Sequence, residues 1–218
     1  MKILIDTLDL EEIRKYSAMG ILSGVTTNPT FSKRFGMKDD IDTVIRVADA
    51  MDGKGEIHVE AWGEEPSEII KDANRIQKNS KYSNLVFKVP FTRAGIEASN
   101  SILKDGHKVN LHLIYSTNQA LLAQSIGSSY ICPLVGRLDD VGHDGPENIR
   151  HIRQCLDSCQ SNTLIMASSI RNPKHVTECC KAGADVITVP PKILSQMVYH
   201  PMTDLGFETF KKDLESMQ

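Results

Sequence analysis

The sequence predicts an α/β fold, a (β/α)8 barrel of the TIM type with an additional C-terminal helix, and three observations lead there. Short apolar runs alternate with amphipathic segments along the whole chain, and the strand-then-helix units number eight. Polar residues inside those runs share one side-chain parity and sit near the strand exits. The length of 218 residues, with 40% apolar content, suits one domain with one sizeable core, so residues 1–218 read as a single barrel domain. An open doubly wound sheet also alternates strand and helix; the count of eight favours closure.

Taken in order, Ile3–Asp6 reads as the first strand, and Asp9 with Glu12 three residues on caps a helix that stops at Gly20. Val25–Pro29 is the second strand and its exit, followed by a helix carrying Ile41, Val44, Ile45 and Ala48. Ile57–Ala61 is the third strand, and Pro66 opens a helix with Ile69, Ala73 and Ile76 on one face. Leu85–Pro90 is a β-branched run with a lysine inside it; its helix ends at Gly106. Val109–Tyr115, Tyr130–Val135, Thr163–Ser169 and Asp185–Val189 complete the set. Their helices follow Ser116, Pro146, the Val176 region and Val189. Beyond Pro201 an amphipathic segment with Leu205, Phe207, Phe210 and Leu214 needs a surface to cover, either the barrel's own or a neighbouring subunit's.

Composition narrows the function. A net charge of −3 supplies no basic stripe, which argues against nucleic acid as a partner. No run approaches the roughly 18 apolar residues of a membrane helix, and acidic residues by Asp6 interrupt any signal-peptide core. Five cysteines scattered through strands and helices suit reduced thiols in the cytoplasm. Cys155 and Cys159 lie one helical turn apart without a histidine pair, so no metal site is expected there.

The chemistry sits on the strands. Parity assigns Asp6, Thr26, Asn28, His58, Glu60, Lys88, Asn110, His112, Ala167 and Ser169 to the barrel interior, and Ile5, Val59, Phe87, Leu111 and Leu113 to the helix-facing side. In barrel enzymes the strand exits build the active site. A lysine near a strand end can snorkel to water, but several ionisable groups converging on one interior favour a reactive role. Burial without a partner makes a neutral, nucleophilic Lys88 the expected form, suited to attacking a carbonyl as a Schiff-base lysine. Asp6 and Glu60, the latter through a water, are the two acid/base groups such chemistry needs, while Asn28 and Asn110 hold hydroxyls without titrating. Arg137, Ser169 and Arg171 suit a phosphate dianion at the rim.

At these residues the chain resembles the transaldolase family, in its short single-barrel branch, which includes fructose-6-phosphate aldolases. The resemblance rests on Gly24-Val25-Thr26-Thr27-Asn28-Pro29, Phe87-Lys88-Val89-Pro90, Asn110 to Ser116, Pro133 to Arg137 and Ala167 to Arg171. It implies cofactor-independent transfer of a dihydroxyacetone unit between sugar phosphates, with Lys88 as the Schiff-base lysine and Asp6 taking the C4 hydroxyl proton. Glu60 would serve the imine steps, Asn28 and Asn110 the donor hydroxyls, and Arg137, Ser169 and Arg171 the phosphate; Thr26 and Cys132 fall in the substrate pocket. It also implies a homo-oligomer, a pentamer or decamer, with residues 202–218 reaching a neighbour. His112 stands where the family usually has a water-placing Thr, and Leu134 where it has Phe or Tyr. Leu134 has no hydroxyl to give, and Glu60 replaces the Gln typical of the aldolases. Both point to transaldolase over two alternatives, a fructose-6-phosphate aldolase releasing dihydroxyacetone and a catalytically weak sugar-phosphate binding protein.

Overall fold

The computed structural model describes residues 1–37 and 40–217. Eight parallel strands close into a barrel in sequence order: β1 (Lys2–Asp6), β2 (Gly24–Thr26), β3 (Glu56–Glu60), β4 (Leu85–Pro90), β5 (Lys108–Ile114), β6 (Tyr130–Pro133), β7 (Leu164–Ala167) and β8 (Val186–Val189). Closure comes from β1 pairing with β8, Leu4 facing Thr188 and Ile5 facing Val189. The expected fold class therefore stands, with a helical layer outside the sheet.

Local chemistry starts each helix. Asp9 accepts from the backbone N–H groups of Glu11 and Glu12 and opens α1 (Leu10–Ala18). Asn28 accepts from Phe31 N–H and, with Pro29 at the first turn, opens α2 (Pro29–Phe35), ahead of α3 (Asp40–Ala50). The sequence reading anticipated only the second of these, because Asn28-Pro29 also reads as a strand exit. Then come α4 (Pro66–Ser80), α5 (Arg93–Lys104), capped by Thr92, and α6 (Thr117–Ser125), with a Ser116–Gln119 capping box. A short α7 (Val135–Asp139) occupies what reads as strand end and loop, and α8 (Gly145–Ser158), α9 (Pro173–Lys181) and α10 (Pro191–Val198) complete the shell.

Two apolar layers follow from strand alternation. Ile5, Val59, Phe87, Leu111 and Ile187 pack outward against the helices, while Leu4, Val86, Tyr130, Cys132, Met166 and Val186 fill the barrel. Parity fails at two of the expected positions. Ala167 faces the helices and Met166 the interior. Leu113, expected outside, adopts φ 60° at a register shift between His112 and Ile114, which turns it to the cavity and hands the outer face to Ile114.

The last helix, α11 (Pro201–Ser216), matches the expected C-terminal helix; Gln218 lies outside the described residues. Leu205, Phe207, Phe210 and Leu214 are each 60% exposed or more, and no residue of α11 is buried. The barrel does not cover this face.

Close backbone approach explains one glycine. A Cβ at Gly24, where β2 runs between β1 and β3, would lie 2.2 Å from the Glu56 carbonyl oxygen. Gly24→Ala is expected to destabilise the fold by about 1–3 kcal/mol. Urea unfolding should show a lower midpoint with an unchanged slope.

Candidate active site

The strand exits surround a cavity of about 550 Å³, within the range of small-molecule sites. Lys88 lines it from β4, buried beside Glu60 on β3, with Nζ 2.9 Å from Glu60 Oε1. Nζ also donates to the Thr27 carbonyl at 2.6 Å. The other carboxylate oxygen, Oε2, lies 2.9 Å from His112 Nε2 on β5. One carboxylate thus bridges an amine and an imidazole.

Across the barrel, Asp6 Oδ1 accepts from the Thr26 hydroxyl at 2.7 Å, and that hydroxyl lies 2.5 Å from Thr188 Oγ1. Since Thr26 spends its proton on Asp6, Thr188 donates to Thr26. Thr188 belongs to the interior parity of β8, a signal the sequence carries although β8 offers no charged residue to draw attention to it.

The two carboxylates are tuned in opposite directions. Burial raises Asp6, and the opposing pull of Lys88 and the Thr26 hydrogen bond leaves it above its ordinary value. Burial also pushes Glu60 up, but Lys88 and His112 override it and hold Glu60 at about 2. For Lys88, burial pulls down and Glu60, with Asp6 behind it, pulls up further, so the amine lies above its usual value. This corrects the expectation of a neutral lysine: a partner at 2.9 Å removes the reason to deprotonate. Burial lowers His112 despite Glu60, leaving the imidazole neutral near pH 7. Burial lifts the Cys132 thiol to about 11, so it stays protonated.

At the rim the β6 and β7 exits are laced together: Val135 N–H donates to Ser168 O at 3.0 Å and Gly136 N–H to Ser169 O at 3.1 Å. A Cβ on Gly136 would lie 2.2 Å from the Ser169 carbonyl and 2.7 Å from the Arg171 side chain. That contact puts Arg137, Ser169 and Arg171 on one wall, with Ser169 reaching the cavity through φ 60° just after the strand. Arg137 donates to the Tyr115 hydroxyl at 3.3 Å and Arg171 pairs with Asp140 at 2.8 Å.

Asn28, Cys132 and Leu134 also line the cavity; Asn110 does not. Asn110 is fully buried beneath it, its Nδ2 3.1 Å from His58 Nδ1, above a Glu56, Tyr130 and Lys108 cluster. Parity alone puts Asn110 at the pocket, but its position one pleat below His112 sets it a layer deeper. Trp62, Phe31 and Pro190 at the mouth escaped that reading, since each lies beyond its strand, where parity ends.

The chain matches the Transaldolase/Fructose-6-phosphate aldolase family over residues 3–218. It is 42% identical to a "Probable transaldolase" of Brachyspira hyodysenteriae, covering 100% of this chain and 99% of the relative. A "Probable transaldolase" of a Thermoanaerobacter species is 41% identical, with 98% and 96% covered. Among solved structures, a "putative fructose-1,6-biphosphate aldolase" from Coccidioides immitis superposes with TM-score 0.63 at 14% identity, covering 94% of this chain and 81% of that one. This last likeness concerns the fold alone.

Glu60 tests the electrostatics. Its carboxyl is lowered from 4.5 to about 2, so its contribution to stability is full above pH 4.5 and is lost as pH falls toward 2. In urea titrations the wild-type advantage over Glu60→Gln should shrink across that window; a constant difference would place the effect in packing.

Proposed function

The chain belongs to the transaldolase/fructose-6-phosphate aldolase family, and we propose that it is a transaldolase. It moves a dihydroxyacetone unit between sedoheptulose 7-phosphate and glyceraldehyde 3-phosphate, giving erythrose 4-phosphate and fructose 6-phosphate. The observation that carries this reading is the buried amine flanked by two carboxylates of opposite tuning.

Lys88 Nζ bonds to C2 of the ketose and the carbonyl oxygen leaves as water, giving a protonated imine. Asp6, whose raised carboxyl suits it to carry a proton, takes the C4 hydroxyl proton. The C3–C4 bond breaks, its electron pair passes into the imine as an enamine, and the aldose leaves. The acceptor aldehyde then takes the C3 electron pair and its oxygen takes the proton back from Asp6, after which water adds to C2, the C2–Nζ bond breaks, and the product ketose and the Lys88 ammonium are released. Glu60 serves the imine steps and holds Lys88 as an ammonium between turnovers. Asn28 and Thr26 face the donor hydroxyls, and Arg137, Ser169 and Arg171 take the phosphate, two guanidinium forks and a hydroxyl matching a dianion. Asn110 braces the floor beneath them.

Glu60, whose carboxylate stays charged, and Leu134, apolar on the cavity wall, favour transfer over aldol release. The five free cysteines support the cytoplasm as its compartment. The exposed apolar face of α11 supports a homo-oligomer, a pentamer or decamer, in which this helix lies on a neighbouring copy.

Fructose 6-phosphate incubated with and without erythrose 4-phosphate separates the readings. Sedoheptulose 7-phosphate and glyceraldehyde 3-phosphate formed only with the acceptor mean transfer. Dihydroxyacetone released without acceptor means an aldolase, and no product from either mixture means a binding protein. Lys88→Ala should abolish the borohydride-trapped adduct and lower the product rate to background, with the circular dichroism spectrum unchanged. An adduct on another lysine would sink the assignment of the nucleophile. For the assembly, Phe210→Glu should lower the mass seen by analytical ultracentrifugation, and a wild-type monomer would end that part of the proposal.

A further inference from the structure

We propose that His112 is the acid/base of the imine steps, carrying protons between Lys88 and the ketose oxygen, with Glu60 holding the ring in the tautomer this requires. The inference rests on the reading of Lys88 as the Schiff-base lysine. Turning a ketone and an ammonium into a protonated imine releases one water, so two of the three Nζ protons must end on the carbonyl oxygen. One N–H bond breaks before attack and a second at the carbinolamine, and each needs a base that can return its proton to oxygen.

Glu60 is poorly suited to that work alone. Its carboxylate is held far on the ionised side by the two groups beside it, Lys88 Nζ 2.9 Å from Oε1 and His112 Nε2 2.9 Å from Oε2, contacts of charge and distance without hydrogen-bond alignment. The imidazole complements it. With an ionised carboxylate at Oε2, the neutral ring keeps its proton on Nε2 and leaves Nδ1 as the basic nitrogen, the arrangement by which a carboxylate orients a catalytic histidine. The ring lines the cavity and shares its carboxylate with the amine, so Glu60 stands between the two and both face the same space. The charged groups acting on it are Glu60 from β3, Lys88 from β4 and Arg137 from α7, with the protonated Cys132 thiol opposite it on β6. Burial together with the two cations keeps it neutral, the form able to accept a proton. In the forward direction Nδ1 takes the first proton from Nζ, returns it to the oxygen as the C–N bond forms, then moves the second as water leaves.

Exchange of the fructose 6-phosphate C2 oxygen with 18O-labelled water measures these steps without acceptor and without the C3–C4 cleavage. His112→Gln keeps an amide donor toward Glu60 but cannot titrate, and His112→Ala removes the ring without supplying a hydroxyl in its place. Both should slow exchange about a hundredfold. The wild-type exchange rate should fall toward acid with a midpoint below the ordinary imidazole value of 6.5, and the His112→Gln profile should lack that limb. Exchange at the wild-type rate in either variant would overturn the proposal, as would a slower His112→Gln enzyme that retains the acid limb, since that marks a positional role. Wild-type protein with no exchange and no borohydride adduct at Lys88 removes the Schiff-base reading itself. An adduct at Lys88 with variant exchange unimpaired removes only His112.

Discussion

The mouth of this barrel depends on one buried carboxylate. Glu60 takes Lys88 on one oxygen and His112 on the other, and that arrangement keeps the carboxylate ionised and the amine protonated, while burial keeps the imidazole neutral. Removing one partner of a buried ion pair costs about 3–5 kcal/mol, because the remaining charge is stranded in a medium that solvates it poorly. The same carboxylate, with Asp6 across the barrel, keeps the Lys88 amine protonated although burial alone would strip its proton. Asp6 has a weaker hold on its own charge, being farther from the amine and paired with a neutral hydroxyl. A difference in partners thus gives two carboxylates in one cavity distinct proton affinities.

Holding those groups in place is the work of the closed sheet. Parallel pairing puts Glu60 beside Lys88, so this charged pair is registered by backbone hydrogen bonds and not by flexible loops. Below it, Leu4, Val86, Met166 and Val186 fill the barrel and leave room only toward the strand exits. The rim is built differently. Backbone bonds from Val135 and Gly136 to the residues after β7 bring the two arginines onto one wall, which requires a residue without a side chain at position 136.

Much of this was legible in the chain. The eight alternating units, the interior rank of Asp6, Thr26, Glu60, Lys88 and His112, and the arginines beyond strands six and seven all follow from spacing and residue type. Where strand parity fails, a local backbone departure is responsible. Leu113 and Ser169 adopt left-handed conformations, so their side chains leave the parity of their strands, and parity extended back from Ser169 puts Ala167 on the wrong face. The helix opened by Asn28 was hidden because the same Asn-Pro pair ends a strand and caps a helix.

By itself the sequence determined the barrel and the set of polar groups at its open end, because strand alternation and helix capping are local and are written in neighbouring residues. Only the tertiary structure decided which groups touch. The distances from Glu60 to Lys88 and His112 join residues on three strands far apart in the chain, and proton affinity follows from those contacts and the depth of burial. A lysine that reads as neutral when only its burial is inferred is an ammonium once its neighbour is seen, since an opposite charge at hydrogen-bond distance outweighs the loss of water.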